Sequence, residues 1–344
     1  MKSEVTTTTG LGFILMLIVG NFAASAADNP SSQSQPIFAS DAKLERLWND
    51  GEFTEGVAVG PDGRIYFSDI ARTDRPGKIM RFDPKSGTTD VFCSDSGQSN
   101  GLMFDRSGTL IACCGANGGK IALCQIQEDG NVQPLVSKFD GKRFNSPNDL
   151  VIHPDGSIFF SDPRYVGPEK LELDHMSVFR LNPETKQLTR LKTGISKPNG
   201  VVLSPDGKTL YVAETDNGST GQSEDHEPAS PPRMTFNAFD LREDGTVTNR
   251  RVLRDFGDQT GIDGMTVDAN GNVFAAVRSE DRFGIAVFSP EGEELEFLPT
   301  PELPTNCCFG IDEDQTSLYI TVGTGLYRVS TSTTGFHPAT TTID

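Results

Sequence analysis

Glu55, Asn148, Asn199 and Asp263 stand at corresponding places in a segment that the chain repeats, each just ahead of an apolar run. Together they offer two carboxylates and two amide carbonyls, with no thiolate or imidazole among them. Such an all-oxygen set suits a hard divalent cation. It suits Ca2+ better than Mg2+, because Ca2+ accepts a larger oxygen shell filled out by water; Mn2+ and Zn2+ are further candidates. Two carboxylates also bring a mostly buried site close to neutrality. Asn100 and Asn306 open the two other copies of the segment, where turn formation alone accounts for them. It does not account for Glu55, since Glu is no special turn former and a buried carboxylate without a partner is costly.

The elements that position these residues follow from the same repeat. The copies begin EGVAVGPDGRIYFSD at Glu55, NGLMFDRSGTLIACC at Asn100, NDLVIHPDGSIFFSD at Asn148, NGVVLSPDGKTLYVAET at Asn199, DGMTVDANGNVFAAV at Asp263 and NCCFGIDEDQTSLYITV at Asn306. A polar leader, an apolar run, a Pro-Asp-Gly-like turn and a second apolar run make a β-hairpin. Two more strand-like runs follow each hairpin in the first five copies, divided by turns such as Asp83-Pro84-Lys85-Ser86-Gly87 and Pro290-Glu291-Gly292. Four strands at a period of roughly 45 to 60 residues predict an all-β fold. The expected architecture is one six-bladed β-propeller over residues 43–330, with four-stranded antiparallel blades around a central tunnel. Repetition of direction brings every leader to the same mouth of that tunnel, and the second strands return their loops there: residues 70–77, 115–119, 163–176, 216–233 and 279–283. Lys43 to Trp48 and Gly325 to Ser330 stand outside the hairpins, and pairing them in the sixth blade would close the ring without an open edge.

The segments GKRFNSPNDLVIHPDGSIFFSDPRYVG, KPNGVVLSPDGKTLYVAET, GIDGMTVDANGNVFAAV and FTEGVAVGPDGRIYFSDI resemble the bacterial gluconolactonase branch of the SMP-30/gluconolactonase/regucalcin family, from about Lys43 to Ser330. The resemblance implies a six-bladed propeller that opens sugar lactones, such as D-glucono-1,5-lactone, with one divalent cation at the tunnel mouth. By matched motif it implies Glu55, Asn199 and Asp263 as metal ligands, with Asn148 beside metal and substrate. Arg143 is the nearest match to the family's substrate-contacting Arg. Asn145, Arg164 and Tyr165, on the same stretch, are further candidates to bind sugar hydroxyls. Asp263 is the candidate general base with Glu55 holding the cation, although sequence alone does not divide those roles between two ligating carboxylates. More distantly, the ring is similar to that of diisopropylfluorophosphatase-type phosphotriesterases, whose catalytic histidine has no counterpart here.

Composition narrows the alternatives. A formal charge of −18 repels nucleic acid and anionic membrane surfaces and leaves a cation or a small neutral molecule as partner. Residues 10–26 form an apolar run ending Ala24-Ser25-Ala26, which fits small-residue signal cleavage. Residues 1–26 are therefore expected to be a signal peptide, 27–42 a tether and 331–344 a tail. The mature chain would be periplasmic or secreted, without membrane insertion. Six cysteines in an exported chain allow either disulfides or buried thiols. Four scattered histidines and the lack of a CxxC pair argue against a structural zinc site or a His-dependent metalloprotease. His226, with Glu224, Asp225 and Glu227, reads as a solvated run. Asp69 and Asp162 read as hydrogen-bonding residues at blade ends, and Ser68 and Ser161 lack the context of a serine hydrolase. The remaining rivals are another lactonase, arylesterase or phosphotriesterase on the same ring, and a non-catalytic binding propeller.

Overall fold

Alternating apolar runs and turns become strands and hairpins. In the computed structural model, which describes residues 6 and 36–338 apart from 73, 74, 168 and 221–232, six four-stranded antiparallel sheets follow one another. The first comprises Thr54–Val59, Ile65–Asp69, Lys78–Asp83 and Thr88–Cys93. The second comprises Leu102–Phe104, Leu110–Cys114, Ala122–Ile126 and Val132–Val136, and the third Leu150–Ile152, Ile158–Asp162, Ser177–Leu181 and Leu188–Arg190. Pro198–Leu203, Thr209–Asp216, Arg233–Leu241 and Val247–Asp255 form the fourth; Ile262–Val267, Val273–Ser279, Arg282–Phe288 and Glu294–Pro299 form the fifth. The sixth takes Pro304–Phe309, Ser317–Val322 and Gly325–Ser330 from the carboxyl end and Glu45–Trp48 from the amino end. First strands of successive sheets neighbour one another around a closed ring, which makes the fold a six-bladed β-propeller.

The hairpin turns repeat one device. The aspartate of each Pro-Asp-Gly turn accepts a hydrogen bond from the backbone N–H two residues on, Asp62 from Arg64 at 3.1 Å, Asp155 from Ser157 at 2.7 Å and Asp206 from Lys208 at 3.0 Å. Burial grades outward as blade stacking requires. Pro198–Leu203 and Pro304–Phe309 are buried throughout, because an inner strand meets neighbouring blades on both faces, whereas the outermost Thr88–Cys93 is largely open to water.

The ring closes as the unpaired end runs require. Glu45–Trp48 lies antiparallel beside Gly325–Ser330, and the Trp48 ring packs on Phe67 with centroids 5.3 Å apart. The packed fold reaches further at both ends than the sequence boundaries suggest. Phe38 is buried against Phe274, and its N–H and that of Ile37 donate to the Glu296 carboxylate. At the other end the Phe336 N–H donates to the Val267 carbonyl, 2.9 Å away. All six cysteines are buried free thiols. The apolar run at residues 10–26 and the His226 run lie outside the described residues.

Candidate functional site

Three of the leaders, Glu55, Asn199 and Asp263, reach the tunnel through bulges. In the first blade Glu55 pairs with Ser68, but the next pair is Ala58 with Tyr66, so one extra residue is accommodated beside Glu55. The same slip occurs between Pro198 and Val201, around Asn199, and between Ile262 and Met265, around Asp263. A bulge re-aims a side chain that a regular strand would hold in register. The glycine after each of these three leaders makes the bulge fit. Gly56 has φ +39, and a Cβ there would sit 1.8 Å from the Asn100 carbonyl oxygen of the next blade. A Cβ on Gly200 would sit 2.3 Å from the carbonyl oxygen of Asp263. Only a bare backbone allows the inner strands to approach so closely.

In three blades an acidic residue near the end of the second strand braces the approach to the leader. Asp69 accepts the N–H of Glu52 at 2.7 Å, Asp162 those of Asn145 and Ser146 at 2.9 and 2.7 Å, and Glu214 that of Ser196 at 2.8 Å. Blades are then latched together, as where the Thr215 hydroxyl donates to the Ile262 carbonyl at 2.6 Å.

Glu55, Asn148, Asn199 and Asp263 all line one cavity of about 720 Å³ at a mouth of the tunnel. Ile70, Arg72, Ala116, Tyr165, Val166, Asn217 and Glu280 complete much of its wall, so every loop expected to return to this mouth contributes. Glu55 and Asp263 are each 4% exposed and Asn199 5%. Asn199 Nδ2 donates to Asp263 Oδ1 at 2.9 Å, and Arg278 Nη1 donates to Asp263 Oδ2 at 2.6 Å. Burial, reinforced by the charge of Asp263, holds the Glu55 carboxyl well above the usual range. Burial also raises Asp263, with Arg278 and Asn199 pulling the other way.

The donor set fits a divalent cation. Two carboxylates and two amides meet in one cavity, and with Nδ2 of Asn199 turned to Asp263 its Oδ1 is buried with no hydrogen-bond partner among the described residues. A buried carbonyl oxygen left in this state is costly unless something electropositive takes it up. Glu55, Asn148, Asn199 and Asp263 are the residues that would hold such an ion. Among the described residues no group of three or more His, Cys, Asp or Glu is placed to hold a metal ion, so a site here depends on the amides.

Tyr165 lines the cavity with its hydroxyl on the Thr215 carbonyl, 3.1 Å away. Arg143, Asn145 and Arg164 are not among the lining residues. Arg143 donates to the Lys170 carbonyl at 2.6 Å. Asn145 occupies the bracing position before Asn148, with Nδ2 on the Asp162 and His175 carbonyls. The buried Arg164 guanidinium holds its own loop through the Asn145 carbonyl and Glu169. Two residues matter here that sequence reasoning missed. Arg278 ends a strand, where a charge reads as solvated, although that strand returns to the cavity mouth. Lys197 is buried beneath the Tyr165 ring at 5.0 Å, bonded to Asn217 Oδ1 at 2.6 Å and to the Ser219 carbonyl. No pattern in the sequence sets it apart from surface lysines.

A six-bladed propeller with oxygen-bearing side chains gathered at one mouth of its tunnel defines the class of fold. Within that class the chain belongs to the SMP-30/Gluconolactonase/LRE-like family, whose model matches residues 53–324. It is 31% identical over 85% of its length to a gluconolactonase of Zymomonas mobilis, covering 82% of that protein. A pentonolactonase, XacC of Haloferax volcanii, is 26% identical, with 79% of this chain and 81% of that one covered. Among solved structures, the gluconolactonase XC5397 of Xanthomonas campestris superposes with a TM-score of 0.72 at 31% identity, covering 87% of this chain and 95% of that one.

Proposed function

We propose that this protein hydrolyses sugar lactones, D-glucono-1,5-lactone or a close relative, to the aldonic acid with the help of a divalent cation, most simply Ca2+. The carrying observation is the joint placement of Glu55, Asn148, Asn199 and Asp263 in one cavity with the Asn199 carbonyl oxygen unpartnered. Family membership and the lactonase names of its relatives support the reading. A bound cation would polarise the lactone carbonyl and favour attack by water without a nucleophilic side chain.

The chain's own groups supply the rest. Glu55 and Asp263 provide the compensating charge, and Asn199 fixes the orientation of Asp263 through its amide N–H. Asp263 takes the proton of the attacking water as general base in the first reading. A second is favoured by hydrogen bonding: both Asp263 oxygens are engaged, one by a guanidinium, whereas among the described residues Glu55 accepts only the N–H of Gly56 at 3.3 Å. Glu55 is then the more available proton acceptor and Asp263 the anchor. Tyr165 and Asn148 form part of the wall against which the sugar lies.

The test is hydrolysis of D-glucono-1,5-lactone by chelator-stripped protein, titrated separately with Ca2+, Mg2+, Mn2+ and Zn2+. Activity restored by an ion in the wild type and lost in Glu55→Gln is expected. Absence of activity with every ion, in protein that binds one, would move the search to aryl esters and phosphotriesters. Among metal-loaded variants, full turnover by Asp263→Asn would refute its role as base. Export follows from the sequence of residues 1–26, and fractionation of cells expressing the full chain tests it.

A further inference from the structure

Arg278 is the cation the structure itself places on the candidate ligand set. It projects from Val273–Ser279, the strand hydrogen-bonded to the one that carries Asp263, and its Nη1 lies 2.6 Å from Asp263 Oδ2. Its charge is felt by both Asp263 and Glu55. Its Nε is buried without a hydrogen-bond partner, so the guanidinium is tied to Asp263 at one end and not locked by a full set of bonds. We propose that Arg278 competes with the divalent cation for Asp263 and thereby sets the cation affinity of the site. This rests on the cation-dependent reading above.

The sign follows from charge. Glu55, Asp263 and Arg278 together carry a net single negative charge when the carboxyls are ionised; without the arginine they carry two. A divalent cation entering a partly buried cluster is favoured by each uncompensated carboxylate and opposed by a guanidinium a few ångströms away. Arginine, always protonated, cannot relieve the conflict by losing its charge. It therefore either shares Asp263 at a cost or turns away from it, and both weaken cation binding. The opposite possibility is that Arg278 holds Asp263 in the posture a cation needs; its removal would then weaken binding.

Calorimetric titration of the full-length, chelator-stripped protein with CaCl2 alone separates the two. Arg278→Gln is expected to bind Ca2+ about tenfold more tightly than wild type, with Arg278→Lys, which keeps the charge, closer to wild type. Without Ca2+, Arg278→Gln should melt at a lower temperature than wild type, having two buried carboxylates without their cation, and should gain more on adding Ca2+. Affinity in Arg278→Gln that is unchanged or weaker, in protein that melts cooperatively, overturns the proposal. Wild-type binding that Glu55→Gln abolishes would in that case leave the cation-dependent reading standing. A wild type that binds none of Ca2+, Mg2+, Mn2+ or Zn2+ overturns both.

Discussion

Gly200→Ala tests whether the catalytic geometry is set by the contact between neighbouring inner strands. Gly200 is not at positive φ, so alanine meets no backbone strain of its own. Its Cβ would lie 2.3 Å from the Asp263 carbonyl oxygen, whereas ordinary contact begins at 3.4 Å. The fourth and fifth blades must part there by about 1 Å, and a displacement of that size at groups of a catalytic site costs on the order of 100-fold in rate. Both sides of the contact carry candidate ligands, Asn199 immediately before Gly200 and Asp263 itself. Stability should fall by about 1–3 kcal/mol, as for overpacking elsewhere, which leaves a folded protein to assay. Lactone turnover across a Ca2+ titration, with thermal melting of the same samples, gives both quantities. Turnover and Ca2+ affinity within about twofold of wild type would refute the reasoning, since the strands would then yield without moving the ring.

Lys197→Met removes the buried cation beneath Tyr165 and the bond to Asn217, both cavity-lining residues. KM for the lactone should rise more than kcat falls, with about 1–3 kcal/mol of stability lost, by steady-state kinetics and denaturant titration. Burial alone would raise the Glu214 carboxyl. The Ser196 N–H, the Thr235 hydroxyl, Arg250 and Arg233 outweigh it and leave the group below its ordinary value. Its contribution to stability is therefore present above the unfolded carboxylate range and lost as pH falls through the depressed folded value. Glu214→Gln should flatten that acid limb and lower stability at neutral pH, as urea midpoints between pH 3 and 7 would show, the interval being about that of carboxylate titration. Deleting residues up to Trp48 exposes the edge of Gly325–Ser330 and uncovers Phe67. The product should be insoluble, and a soluble, active product would mean that the amino-terminal strand is dispensable for closure.

The fold was legible because its information is local and repeated. Six hairpins with related turns, each led by a polar residue, specify blades through alternation and turn chemistry, and equal direction sends five of the six leaders to one cavity, Asn306 lining a different one. That Glu55, Asn148, Asn199 and Asp263 share a cavity could therefore be read from their equivalent places, and so could the loops that wall it, but Asn100, set aside as a turn former, lines the same cavity. Tyr165 and Arg164 were not separable in this way. Adjacent in sequence, one lines the cavity and the other is buried in its own loop, because that difference depends on which carbonyls the loop offers. Arg278 and Lys197 were invisible for the same reason. A charged side chain at the end of a strand reads as solvated, and only packing against a neighbour decides whether it is. Repeat, register and the mouth at which the leaders meet belong to the sequence. The partner of each charge belongs to the tertiary structure, since a buried ion is stabilised by groups far away in the chain that only folding brings within hydrogen-bonding distance.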